Sequence, residues 1–151
     1  MQVPITIERE TLDDLLRGQN WKAIESFGIR NLKQEPSTSD CGHYVLDIIG
    51  VPSNLEMIEA LQQLPVVQNA PKEGLILYRA WGAQGLRTMH YGIVAGETVR
   101  SKWGPDSPVF EHPLLLVPAI YGSAAVFCTM KKAREYFMER RQQTMFGPDY
   151  Y

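Results

Sequence analysis

The sequence predicts a single α+β domain, with helices first and an antiparallel sheet second. Helix caps and stop residues punctuate the first part of the chain as far as Pro65. After Pro71 the apolar residues fall into short runs separated by turn residues, which is the pattern of strands. A charged segment with one apolar face, Lys131 to Gln143, then closes the domain as a helix. At 151 residues and 44% hydrophobic content, the chain is long enough to fill one core and needs no second domain.

The first helix reads as Thr11 to Arg17, closed by Gly18, and the second as Trp21 to Phe27, capped by Asn20 and closed by Gly28. Residues 1–29 thus form a helical brace over a core that spans residues 30–143. A third helix begins at Cys41, directly after the polar run 36–40, and ends at Gly50 and Pro52. Ser53 and Glu56 have capping-box spacing and open a fourth helix, Leu55 to Leu64, whose apolar stripe is Leu55, Ile58, Leu61 and Leu64. Pro65 ends it.

Strands follow at Leu75 to Tyr78, His90 to Val94 and Thr98 to Trp103, with a loop marked by Gly82 and Gly85 and a tight hairpin at Gly96-Glu97. Pro108 to Glu111 and Ser123 to Cys128 add two more strands. The last helix buries Ala133, Tyr136 and Phe137, and the tail 144–151 frays.

A formal net charge of −2 supplies no basic field for nucleic acid, which is excluded as a partner. No stretch reaches about 18 uninterrupted apolar residues, and no basic segment followed by an apolar run opens the chain. The expectation is a cytoplasmic protein without a membrane span, and delivery by specialised secretion or lysis stays open. Two distant cysteines form no disulfide framework and no zinc-ribbon spacing.

The two cysteines differ. Cys128 lies within an apolar strand, whereas Cys41 stands at a helix start, where unpaired N–H groups and the helix dipole favour a thiolate. A thiol nucleophile needs a base and a group that orients the base. His90 opens a strand after the loop 83–89 and is the best base. His43 lies two residues after the cysteine and points elsewhere on the helix, and His112 precedes Pro113.

Asp40-Cys41-Gly42 opening a helix, then Glu73-Gly74-Leu75-Ile76-Leu77-Tyr78, then His90-Tyr91-Gly92-Ile93-Val94 and a hairpin, resembles the NlpC-type papain-like cysteine peptidases and amidases. Those show D-C-S-G, G-D-L-V and H-V-G-I-Y in that order. The likeness covers Asp40 to Trp103. Ser101-Lys102-Trp103-Gly104 with Val109-Phe110-Glu111-His112-Pro113 also resembles a signature of small papain-like bacterial and phage proteins.

The resemblance implies a papain-like fold, with the Cys-bearing helix packed on a small antiparallel sheet. It also implies Cys41 as nucleophile, His90 as base, no cofactor, and a peptide or protein substrate cleaved through a thioester. A cell-wall peptide is one such substrate. Two departures stand out: Gly42-His43 replaces Ser-Gly, and Lys102 falls at or beside the third position, although lysine cannot accept a proton from imidazole. A two-residue turn at Gly96-Glu97 places Ser101 and Trp103 on the face of His90, and a three-residue turn places Lys102 there. Ser101, Lys102 and His112 therefore compete as third member.

The Cys41 N–H is one oxyanion donor, and Gln34, Asp40 and His43 belong to the oxyanion and substrate side of the site. A zinc site of Cys41, His43, His90 and His112 is the less economical use of the same residues. A catalytically silent papain-like binding module is the alternative to an enzyme.

Overall fold

The computed structural model describes residues 1–33 and 40–145. Among these residues six strands form one antiparallel sheet: β1 (Arg30–Asn31), β2 (Glu73–Gly82), β3 (Gly85–Ala95), β4 (Thr98–Lys102), β5 (Val109–Pro113) and β6 (Ala124–Thr129), in the spatial order β1-β5-β4-β3-β2-β6. The α+β class read from the sequence is what the chain adopts. The tail 146–151 and the segment 34–39 lie outside the described residues.

Among the described residues, five α-helices cover both faces of the sheet. On one face α3 (Cys41–Ile49), α4 (Leu55–Leu61) and α5 (Met130–Met145) bury Leu46, Leu61, Ala133 and Phe137 against Leu75, Leu77 and Ile93. On the other, α1 (Ile7–Arg17) and α2 (Trp21–Glu25) bury Leu12 and Ile24 against Ile76, Tyr78, Val94 and Phe127. The period-2 alternation of β2 supplies both cores, so its run 74–78 is buried throughout. The brace expected from residues 1–29 thus contributes its own core, with Val3, Leu12 and Ile24 fully enclosed.

Local chemistry explains where the elements depart from expectation. The first helix starts at Ile7, four residues before Thr11, because Thr6 Oγ1 accepts the Arg9 N–H at 3.2 Å. In α4 the cap is Asn54, whose Oδ1 accepts the Met57 N–H at 2.9 Å, and Ser53 is one residue too early for that bond. The register moves the buried stripe to Met57, Ala60, Leu61 and Leu64 and leaves Leu55 73% exposed. Gly82 and Gly85 pair across a two-residue turn, so the expected loop is the tip of a long β2–β3 hairpin. The hairpin at Gly96-Glu97 is also a two-residue turn, flanked by the pair Ala95–Thr98. Among the described residues, no helix is long and apolar enough to cross a membrane.

Arg9 is the least expected core residue, at 1% exposure. Its guanidinium donates to the carbonyls of Val117, Val3, Pro4, Pro118 and Gly122 at 2.6–3.3 Å. These bonds tie the N-terminal segment and α1 to the chain between β5 and β6. Replacing Arg9 by Met leaves five carbonyls without this partner, so unfolding in urea is expected to show a loss of about 3–5 kcal/mol. Arg9→Lys, with three donors, should recover only part of it.

Candidate functional site

Cys41 is the first residue of α3, and Asp40 caps that helix by accepting the His43 N–H at 3.1 Å. The same carboxylate oxygen takes the His43 Nδ1–H at 2.8 Å. Burial pushes Asp40 upward, but the His43 ring and backbone outweigh it and hold the carboxyl below its ordinary value. Asp40 and His43 are therefore partners of each other at the mouth of the helix. Gln34 lies outside the described residues.

The position of the sulfur follows from the β3–β4 hairpin. Ala95 and Thr98 close its two-residue turn, so the N–H groups of Ala95, Ile93 and, by alternation, Tyr91 point towards β4. The β3–β4 ladder stops at Ile93–Arg100, leaving Tyr91 without a strand partner on that side. The start of α3 enters this opening, where the Tyr91 N–H, with those of Gly42 and Cys41 itself, favours the thiolate of Cys41. Burial nevertheless dominates and raises the thiol to about 11, with Asp40 adding to the rise. The lowered thiol pKa expected of a helix start is thus not what this geometry gives: desolvation exceeds the help of the N–H groups.

His90 is adjacent to Tyr91 in sequence, but its ring lies on the other face, opposite Tyr78. It is 1% exposed and stacks flat on Tyr121 of the 3₁₀ turn Ala119–Tyr121, with centroids 4.0 Å apart and planes 6° from parallel. No hydrogen bond joins it to Cys41, and Nε2 is buried without a partner. Burial first, then His112, lowers its pKa well below the usual histidine value, while Asp40 opposes the shift. The expected edge position facing the helix terminus is corrected to a central strand with an enclosed neutral imidazole. A contact with a buried, weakly polar ring replaces the expected orienting hydrogen bond.

None of the three competing third members orients His90. The two-residue turn puts Ser101 on the His90 face, as parity requires, yet its hydroxyl bonds to His112 Nε2 at 2.8 Å. His112 Nδ1 faces the Pro113 carbonyl at 2.8 Å, which only accepts, so Nδ1 carries the proton and Ser101 O–H donates to Nε2. Trp103 Nε1–H donates to Ser101 Oγ at 3.0 Å. This chain has the order of a nucleophile, base and orienter, but Ser101 and His112 are 0% and 1% exposed and every member is bonded. It clamps β4 to β5. Lys102 Nζ donates to the Pro105 carbonyl at 2.6 Å, and burial lowers its pKa against the opposing fields of Asp106 and Asp40.

Among the described residues, no three metal-ligating side chains cluster, so Cys41, His43, His90 and His112 do not come together as a metal site. Cys128 is a buried strand residue, 1% exposed, as expected. Sequence reasoning missed Tyr121 and the Tyr91 N–H. Tyr121 carries no motif, whereas the Tyr91 donor follows from the two-residue turn once the end of the ladder is known. No protein-family model matches the chain, and no curated protein or solved structure matches it.

Two measurements test this arrangement. Ser101→Ala leaves Trp103 Nε1–H and His112 Nε2 unpaired and should cost about 2 kcal/mol or more in urea unfolding. The unfolded chain protonates His112 near pH 6.5, whereas the folded chain resists until about 4. The unfolded state therefore binds more protons in this window, and stability falls as pH falls through it. His90 acts in the same direction. Between about pH 6.5 and 5 the slope should approach 1.4 kcal/mol per pH unit for each imidazole, and His112→Asn should remove about half of it.

Proposed function

We propose that the protein is a papain-like cysteine hydrolase of the NlpC type, acting on an amide or peptide bond through a thioester on Cys41. The observation that supports this reading is the buried, unpartnered Nε2 of His90, in a chain whose Cys41 stands at a helix start where the Tyr91, Gly42 and Cys41 N–H groups favour a thiolate. Buried polar atoms are nearly always satisfied, and one left open on an imidazole marks a group available for a proton.

The resting pair is neutral on both sides, since burial raises the thiol and lowers the imidazole. The reaction then begins with general-base transfer. In this reading Nε2 of His90 takes the thiol proton as substrate enters, and sulfur attacks the carbonyl carbon. The Cys41 N–H at the helix start faces the developing oxyanion. Collapse expels the amine with the proton from His90, and water releases the acid from the thioester.

A silent module that binds a peptide or protein through the same groove is the second reading. It is favoured by one observation: Ser101 and His112 bond to each other and Lys102 donates to the Pro105 carbonyl, so that none of the three orients His90.

The discriminating experiment acylates the protein with p-nitrophenyl acetate and locates acetyl groups by mass spectrometry, with Cys128 as internal reference. The enzyme reading expects Cys41 to acylate fastest and His90→Ala to slow it about 10²-fold or more, at unchanged fold. Iodoacetamide, which tests the resting thiol alone, should react slowly at pH 7 and accelerate towards about pH 11. Acylation of Cys41 no faster than Cys128, or insensitive to His90, transfers the case to the binding module.

A further inference from the structure

The far end of the β2–β3 hairpin forms, with the C-terminal end of α4, a groove of about 730 Å³. Its polar lining is Arg79, Arg87, Thr88, Gln84 and Gln62, and no acidic residue lines it. Arg79 is half-buried, and its Nε–H donates to Thr88 Oγ1 at 3.2 Å. That bond fixes the guanidinium plane while leaving its four Nη–H donors for other acceptors. Among the described residues neither Arg79 nor Arg87 belongs to an ion pair, although Arg17, Arg30 and Arg100 all do. Two arginines without carboxylate partners thus line a groove that holds no acidic residue.

The groove lies on the same side of the sheet as the thiol. Gln62 caps α4, which packs with α3 on the Cys41 side, and half-buried Tyr91 stands between the two regions. The Tyr91 phenol feels both: burial and Cys41 raise its pKa to about 12, and Arg79 opposes the rise. Asp40 acts on the phenol as well, but its carboxylate is engaged by His43.

We infer that this groove holds a carboxylate of the substrate, with Arg79 as the bidentate contact and Arg87 as a second charge, so that the preferred substrates are peptides bearing a free carboxylate on the Tyr91 side of the scissile bond. The inference rests on the hydrolase reading for the word substrate; the anion site itself rests on the groove. The planar fork of Arg79 matches a carboxylate in a way that a lysine ammonium would not. Glycines at the hairpin tip, Gly82 and Gly85, keep bulk away from the opening.

The test uses Cys41→Ala protein, which cannot turn over, and reads the Arg87 and Thr88 amides by NMR. The probes are N-acetyl-trialanine as free acid, the same peptide as its C-terminal amide, and inorganic phosphate. The expected result is that the acid binds about tenfold or more tightly than the amide. Arg79→Gln with Arg87→Gln should abolish the difference, and Arg79→Lys should restore only part of it. Equal binding of acid and amide, absence of binding, or a preference that survives the double substitution overturns the inference. So does phosphate binding as tightly as the acid, which would mark a general anion site. Acylation of Cys41 in the wild type is read separately: its failure with the acid preference intact removes the hydrolase and leaves the groove, and the reverse result removes the groove alone.

Discussion

The buried guanidinium of Arg9 is the constraint on which the face holding His90 depends. It satisfies five carbonyls from two distant stretches of chain, and Gly122 is one of them. Gly122 has φ of 96°, and a Cβ there would overlap the Arg79 carbonyl, so the turn lies directly on the sheet. That contact places Tyr121 flat over His90. A charge with no carboxylate partner is costly to bury, and burial lowers the Arg9 pKa. Five well-placed carbonyl dipoles offset the cost in a way that three donors on a lysine could not.

The second constraint is the parting of β3 from β4. The turn at Gly96-Glu97 starts the two strands in register, and the Trp103–Ser101–His112 chain draws the end of β4 towards β5. Gly92 lets this happen, since a Cβ there would lie 2.6 Å from Val99 Cγ1 and 3.3 Å from Ser101 Cβ. What opens is a gap of one ladder position, and the start of α3 occupies it. There the Tyr91 N–H, freed from the ladder, favours the thiolate of Cys41.

Elements whose signals are local were legible in the sequence. Asn20 as a cap, Gly50 in the left-handed conformation at φ 96°, the Cys41 helix and the turn at Gly96-Glu97 all follow from side chains within a few residues of the feature. The candidate site was legible only in its parts. Asp40 and His43 are close in the chain and pair with each other, a contact the sequence reading did not draw, and the face of the His90 ring depends on β2 pairing and on a turn about thirty residues away. Ser101 and His112 were named as rivals for one role and are instead partners of each other, which only the β4–β5 register reveals. Arg9 left one clue: a basic residue between Glu8 and Glu10 in the first turn of a helix runs against the dipole, and such a residue has another reason to be there.

Burial raises the Cys41 thiol and lowers the His90 imidazole, and this has a consistent place in the proposed reaction. Neutral groups cost little to enclose, whereas a preformed thiolate–imidazolium pair would need a partner for each charge. Charge then appears only when the proton moves, in a partly enclosed site where the Tyr91, Gly42 and Cys41 N–H groups favour the thiolate. Preoriented dipoles stabilise such transient charge more strongly there than in water, because they need no reorganisation when it forms. The same desolvation that silences the resting thiol therefore strengthens the donors around it, and a high thiol pKa in the empty protein is compatible with an efficient acyl transfer once substrate completes the enclosure.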